Sequence, residues 1–237
     1  MEIEIDIEAI RELTAREYEQ VRADLAAHGP AAALECSQQR HDTCLATAPD
    51  APLLACKDGC FWCCYYSVDV RPVEVLRILD AMRLLPEDEQ TRIATEVQAN
   101  SALVSTLDDE ERTRRNIKCP FLAAGRCVIY AARPQTCRNY HATNAVGCQR
   151  AFEEPDNLDI DPEFAPLVYQ RGRAHVDAFS KAMSDAGYDT RAYELNSALA
   201  AALLAPERAR ERLEQGSHVF PELPGTEVPL EFMGEGL

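Results

Sequence analysis

Residues 56–64 read Cys56-Lys57-Asp58-Gly59-Cys60-Phe61-Trp62-Cys63-Cys64, four cysteines in nine positions, and the fold has to be organised around them. On a helix, at about 100° per residue, the four sulfurs fall within an arc of roughly 100°; a tight turn at Gly59 would converge them as well. So dense a run does not arise to fill a core, and the adjacent Cys63 and Cys64 are poorly placed for separate disulfides. Thiolate ligation of a metal is the chemistry that calls for it, with redox disulfide exchange as the alternative. Phe61 and Trp62 would shield such a site or pack in the core.

A second cysteine-bearing stretch follows: Cys119-Pro-Phe-Leu-Ala-Ala-Gly-Arg-Cys127-Val-Ile-Tyr-Ala-Ala-Arg133-Pro-Gln-Thr-Cys137-Arg138. Pro120 and Gly125 force turns on either side of a short apolar unit, which lets Cys119 and Cys127 approach one centre across a loop. Cys137 arrives from beyond Pro134. The CxxxCxxCC run followed by CPFLxxGRCxIYxxRPxxCR resembles the YkgJ-type cysteine-cluster family, whose members are described as zinc- or iron-chelating. The resemblance covers roughly residues 56 to 140. It implies Cys56, Cys60, Cys63, Cys64, Cys119, Cys127 and Cys137 as metal ligands, and it includes Arg133, Pro134 and Arg138. Related cysteine clusters occur in a flagellin lysine methylase, so methyl transfer enters as an alternative, although no glycine-rich methyl-donor fingerprint is present.

Seven matched thiolates, or eight with Cys148, exceed the four that one tetrahedral zinc or one iron–sulfur cluster needs. The ligands therefore imply two centres, a shared-thiolate cluster, or spare cysteines. An iron–sulfur cluster is slightly favoured over zinc, although thiolate softness suits both. Cys36 and Cys44 lie outside the signature and read as helix-packing thiols, His141 as a residue beside the ligands, and Tyr130 and Tyr140 as core.

Net charge is −16, which argues against nucleic acid and against an anionic membrane. From Arg112 to Phe152, however, there is no Asp or Glu, and eight Lys and Arg residues give that stretch +8, leaving −24 elsewhere. Cations there would offset thiolate charge, with Arg133 and Arg138 as the matched candidates for cofactor binding. The acidic remainder suits solubility or a basic protein partner.

The start MEIEIDIEAIRE lacks a secretory signal and no stretch has membrane-spanning length, so a cytoplasmic location is expected, where the cysteines would stay reduced. The rest of the chain is periodic in the manner of helices. Residues 1–50 predict a helical pair broken at Gly29 and Pro30, and 51–152 the cysteine-cluster core. Within that core, helices open at Pro72 and Pro86, the second with Ile93, Val97, Val104 and Leu107 as its buried stripe and with Glu110–Arg114 and Glu111–Arg115 pairs. Ser67 to Val70 is extended, and Lys118 to Cys148 leaves room for only short helical turns. Residues 153–216 predict helices opening at Pro162, after Thr190 and at Pro206, and 217–237 an irregular tail. The expected fold is mostly α, a bundle-like helical domain with a loop-rich metal-binding segment and helical flanks. The expected function is a cysteine-ligated metal protein acting as a redox or metal-handling accessory. A metal-dependent enzyme and a zinc-stabilised interaction module are the alternatives.

Overall fold

A computed structural model describes residues 5–232, which are mostly helical as expected. Residues 233–237 of the expected tail lie outside the described residues. The first helix, α1 (Ile7–Ala46), is capped by Asp6, whose carboxylate accepts from the Ala9 amide at 3.1 Å. It is two helical rods joined at Gly29, where φ is 78° and ψ 179°. Glycine takes that backbone without a Cβ clash and Pro30 then restarts the helix, so the expected break is there.

Next come β1 (Asp69–Val70), α2 (Pro72–Met82), α3 (Glu87–Val104) and α4 (Asp109–Thr113). Pro72 opens α2 as the sequence predicts. In contrast, α3 ends at Val104, so Leu107 lies beyond it and is only half-buried. Of the two expected charge pairs, Arg114 meets Glu110 at 3.0 Å, whereas Glu111 accepts from the Asp108 amide at 3.1 Å to close a capping box.

The cysteine-bearing stretch contains β2 (Leu122–Ala123), β3 (Arg126–Cys127), α5 (Gln135–Asn139) and α6 (Ala145–Glu153). A hairpin here was not foreseen. β2 and β3 pair antiparallel, Leu122 opposite Cys127 and Ala123 opposite Arg126, across Ala124 (φ 48°) and Gly125 (φ 76°). Two successive residues of positive φ make the primed turn whose twist suits a two-residue hairpin.

The chain continues through α7 (Pro166–Asp185), β4 (Tyr193–Glu194), α8 (Leu195–Leu204) and α9 (Pro206–Glu214). The expected start of α7 at Pro162 is corrected to Pro166. Phe164 lies in the loop, bridged to Ala142, and Asp50 across the fold accepts from the Leu167 and Val168 amides at 2.7 and 3.1 Å. A carboxylate from a remote loop thus supplies the cap. The helix expected after Thr190 begins at Leu195, because Tyr193 and Glu194 first pair with Val70 and Asp69.

The core draws on every part of the chain: Val21 and Leu34 of α1, Ile78 of α2, Ile93 and Val97 of α3, Phe179 and Met183 of α7, Leu199 of α8, and Phe220. α1 packs along α7, and α3 and α2 pack on α8. Phe121 and Ile129, on either side of the hairpin, are buried in that same core. Burying each contributes roughly 1.5–3 kcal/mol, so the cysteine loops are seated on the helices and not suspended from them.

Asp189 fastens the C-terminal segment. Buried, it accepts from Arg191 N and Nε at 3.2 and 2.9 Å, from Tyr193 Oη at 3.0 Å and from Val219 N at 2.9 Å. Burial pushes its carboxyl up, but the bonds from Arg191, Val219 and Tyr193 outweigh that and hold it below its ordinary value. Asp189→Ala, which orphans the Val219 amide and the Tyr193 hydroxyl, should lower stability by about 2–4 kcal/mol in urea unfolding at neutral pH. A carboxylate with a depressed folded pKa stabilises above its unfolded value and ceases to as pH falls through the folded one. The deficit should therefore shrink in acid, and a pH-independent deficit would count against this role.

Candidate metal centre

The run from Cys56 to Cys64 is a turn followed by a short 3-10 segment, the second of the two geometries the sequence allows. Gly59 has φ 83°, the Cys60 amide donates to Lys57 O at 3.0 Å, and residues Trp62–Tyr65 form the 3-10 turn. Three hydrogen bonds then tie Cys119, Cys148 and the loop after α5 to it. The Cys119 amide donates to Cys64 O at 2.7 Å, the Ala55 amide to Ala142 O at 2.9 Å, and the Tyr66 hydroxyl to Cys148 O at 3.1 Å. Phe61, Trp62, Tyr65 and Phe152 form an aromatic cluster with ring centroids 4.7–6.4 Å apart, which pins α6 and its Cys148 to the turn. Cys148 lies outside the quoted signature, yet the fold brings it to the same loops.

Cys127 is placed by the hairpin and Cys137 by α5. Glu74 of α2 holds α5 in position, accepting from the Gln135 amide at 2.7 Å while its other oxygen takes the Arg71 amide at 2.9 Å. All ten cysteines are free thiols, and Cys119, Cys127 and Cys137 are half-buried.

The thiols act on one another unequally. Burial pushes up Cys119, Cys127 and Cys137, the last to about 12, and the charge of Cys64 adds to each. Burial likewise pushes Cys148 up to about 11, with Cys56 and Cys60 adding to it. Cys63 is held up chiefly by its hydrogen bond with Cys64, then by burial, and it senses Cys137 on one side and Cys56 on the other. Cys64 is correspondingly lowered by that bond. Cys64 thus acts on Cys119, Cys127 and Cys137, Cys56 and Cys60 act on Cys148, and Cys63 senses both Cys137 and Cys56.

Thiols held above neutral pH stay protonated until a cation compensates them, so loading metal here would expel protons. The donor set, eight soft ligands with no disulfide among them, fits zinc or an iron–sulfur cluster. Among the described residues, no three His, Cys, Asp or Glu side chains yet stand arranged to hold an ion.

The acid-free basic stretch divides its labour. Arg133 offsets part of the rise that burial imposes on Cys56, Cys127 and Cys137, and its guanidinium lies 3.9 Å from the Tyr130 ring centroid. Arg133 also lies 3.6 Å from Asp42, and most of the other cations pair with carboxylates from elsewhere as well: Arg112 with Asp69, Lys118 with Glu96, Arg126 with Asp58, Arg138 with Asp42. Tyr130, expected in the core, is exposed because it serves as the platform for Arg133. Tyr140 is half-buried against Tyr66 and Phe164, and His141 is half-buried near Arg133 and Asp42.

The polar residues that sequence reasoning passed over lie between α1 and α7: Glu17, His41 and His175, all buried. Their signal would have been polar side chains on the apolar faces of two helices. Gly172 of α7 belongs with them, since a Cβ there would stand 1.7 Å from Asn139 Oδ1 and 2.9 Å from His41 Nε2.

Among the described residues, no helix is long and apolar enough to cross a membrane. No curated protein and no solved structure matches the chain. Residues 55–160 match the model of the CxxCxxCC family, described as a "putative zinc- or iron-chelating domain". That span takes in all eight cysteines from Cys56 to Cys148, so the similarity to the CxxCxxCC family covers the whole cysteine cluster.

Proposed function

We propose that residues 55–160 hold metal in two adjacent four-thiolate centres and that the protein acts as a redox or metal-handling accessory. What supports this is the convergence of the hairpin, α5 and α6 on the Cys56–Cys64 turn, with Cys119 hydrogen-bonded to Cys64 and Cys148 to Tyr66, together with the action of Cys64 on Cys119, Cys127 and Cys137 and of Cys56 and Cys60 on Cys148. Four thiolates complete one zinc ion or one iron–sulfur cluster, so each set closes without a spare ligand. Arg133 supplies positive charge toward both sets, and the hairpin, α5 and α6 each bring one strand of ligands to the turn. When bound, an iron–sulfur cluster would supply one-electron chemistry, whereas zinc would hold the loops together.

Iron–sulfur remains the expected content. Protein purified without oxygen should be coloured and contain iron and acid-labile sulfide; colourless protein with near-stoichiometric zinc would overturn that choice while leaving the two-centre count in place. A second reading, a metal-dependent enzyme, is favoured by an open cleft of about 320 Å³ beside the hairpin, lined by Phe61, Tyr65, Arg92 and Lys118. The cleft would place a substrate against the loop that carries Cys127.

A further inference from the structure

Where α1 packs along α7, the interface holds two histidines. His41 is 0% exposed and His175 3%, and neither ring nitrogen of His41 has a hydrogen-bond partner, while His175 has only the loose approach of Glu17 and Cys44. Their rings are parallel within 4°, with centroids 5.4 Å apart. Cys44, three residues after His41 on the same face of α1, interacts with His175 through its thiol. Glu17 comes within 3.5 Å of His175 Nδ1, while Arg40 at 2.7 and 2.9 Å and Ser37 at 2.8 Å hold its carboxylate in place.

An imidazole offers at least one N–H and, when neutral, one lone pair. Burying either without a partner costs about 1–3 kcal/mol. The simplest escape, protonating both rings and pairing them with acid, is closed to His41. Burial, His175 and Arg138 together hold it well below its ordinary value, so it stays neutral with its lone pair free. Neutral imidazole is the form that metals take.

We propose that His41, Cys44 and His175 form a further metal site, separate from the cysteine cluster, for a transition-metal dication such as zinc. Two nitrogens and one thiolate are a borderline-soft donor set of the kind zinc accepts. With metal–nitrogen bonds of about 2.0–2.1 Å, a ring centroid lies roughly 3.2 Å from its ion, so centroids 5.4 Å apart are within reach of one ion. Glu17 takes the part of the carboxylate behind a metal-bound histidine, orienting His175 through Nδ1 and leaving Nε2 for the ion. Side-chain rotation must bring the donors together, as it must at the cysteine centre. The ion replaces the Cys44 thiol proton and the proton that Cys44 and Glu17 help His175 to keep, so occupancy falls as pH is lowered. None of the three belongs to the cysteine signature, so this site stands or falls apart from the two centres proposed above.

The test exchanges the as-purified full chain with cadmium-113 and reads the bound metal by NMR and by elemental analysis. The wild-type chain should show, besides the strongly deshielded signals of all-sulfur sites, one resonance well upfield from mixed nitrogen and sulfur ligation. The double variant His41→Asn/His175→Gln should lose that resonance and a single metal equivalent while the all-sulfur signals stay. Cys44→Ser, at a half-buried position that tolerates the change, should shift or abolish the same resonance and decides the matter if the double variant does not fold. A wild-type chain with no nitrogen-ligated signal, or a Cys44→Ser chain with the signal and metal count unchanged, overturns the site.

Discussion

A chain carrying Cys63→Ser and Cys64→Ser together should lose metal from both four-thiolate centres at once. The two residues are adjacent, and in the proposed arrangement each serves one set: Cys64 acts on Cys119, Cys127 and Cys137, while Cys63 senses both Cys137 and Cys56. Structural thiolate sites bind with apparent free energies of about 10–16 kcal/mol, so removing one ligand of four costs on the order of 3 kcal/mol, or about 100-fold in affinity, at each centre. Elemental analysis after desalting against a mild chelator reads this directly. Single variants sharpen the picture, since Cys119→Ser should empty one centre and Cys148→Ser the other. A double variant that keeps its full metal load would remove the pair from the ligand set, and equal total loss in both single variants would replace two centres by one shared cluster.

Arg138→Ala should be the most damaging single change away from the thiols, lowering stability by about 3–5 kcal/mol as the carbonyls it serves lose their donor. Arg138 is 3% exposed and is bound on every side. It pairs with Asp42, donates to Ala131 O and to Arg133 O at 3.1 Å, and reaches Gln38 Oε1 at 3.4 Å. One guanidinium thus fastens the loop before α5, and with it Cys137, to the second rod of α1. Its loss leaves buried carbonyls without donors. Arg138→Lys should recover only part of the deficit, because an ammonium cannot reproduce the planar fork that meets several acceptors at once. Urea unfolding midpoints of the three proteins measure this. A deficit within about 0.5 kcal/mol for alanine would show the clamp to be dispensable.

Arg138 also illustrates how far sequence reasoning reached. Its place in the motif was legible, and so was the positive stretch around it, but which cation faces the thiols was not. Arg133 and Arg138 are five residues apart and look alike in sequence. Both reach Asp42, which α1 delivers from nearly a hundred positions away, but only Arg133 acts on Cys56, Cys127 and Cys137, whereas Arg138 is taken up by Asp42 and the carbonyls around it. Long-range pairing of this kind leaves no local pattern. The same holds for the cap of α7, which Asp50 supplies across the fold, and explains why a start at Pro162 was expected.

By itself the sequence determined what is local: helix ends at Gly29, Pro30, Pro72 and Pro206, the mostly helical class, and the dense cysteine run that only metal or redox chemistry explains. These follow from backbone restriction, side-chain period and residue chemistry, each of which acts over a few positions. Only the tertiary structure decided that Cys119 to Cys127 is a hairpin seated on the core, that Cys148 reaches the turn, and that His41 meets His175. Each of those depends on burial and charge between segments far apart in the chain, which exist only once the helices have packed.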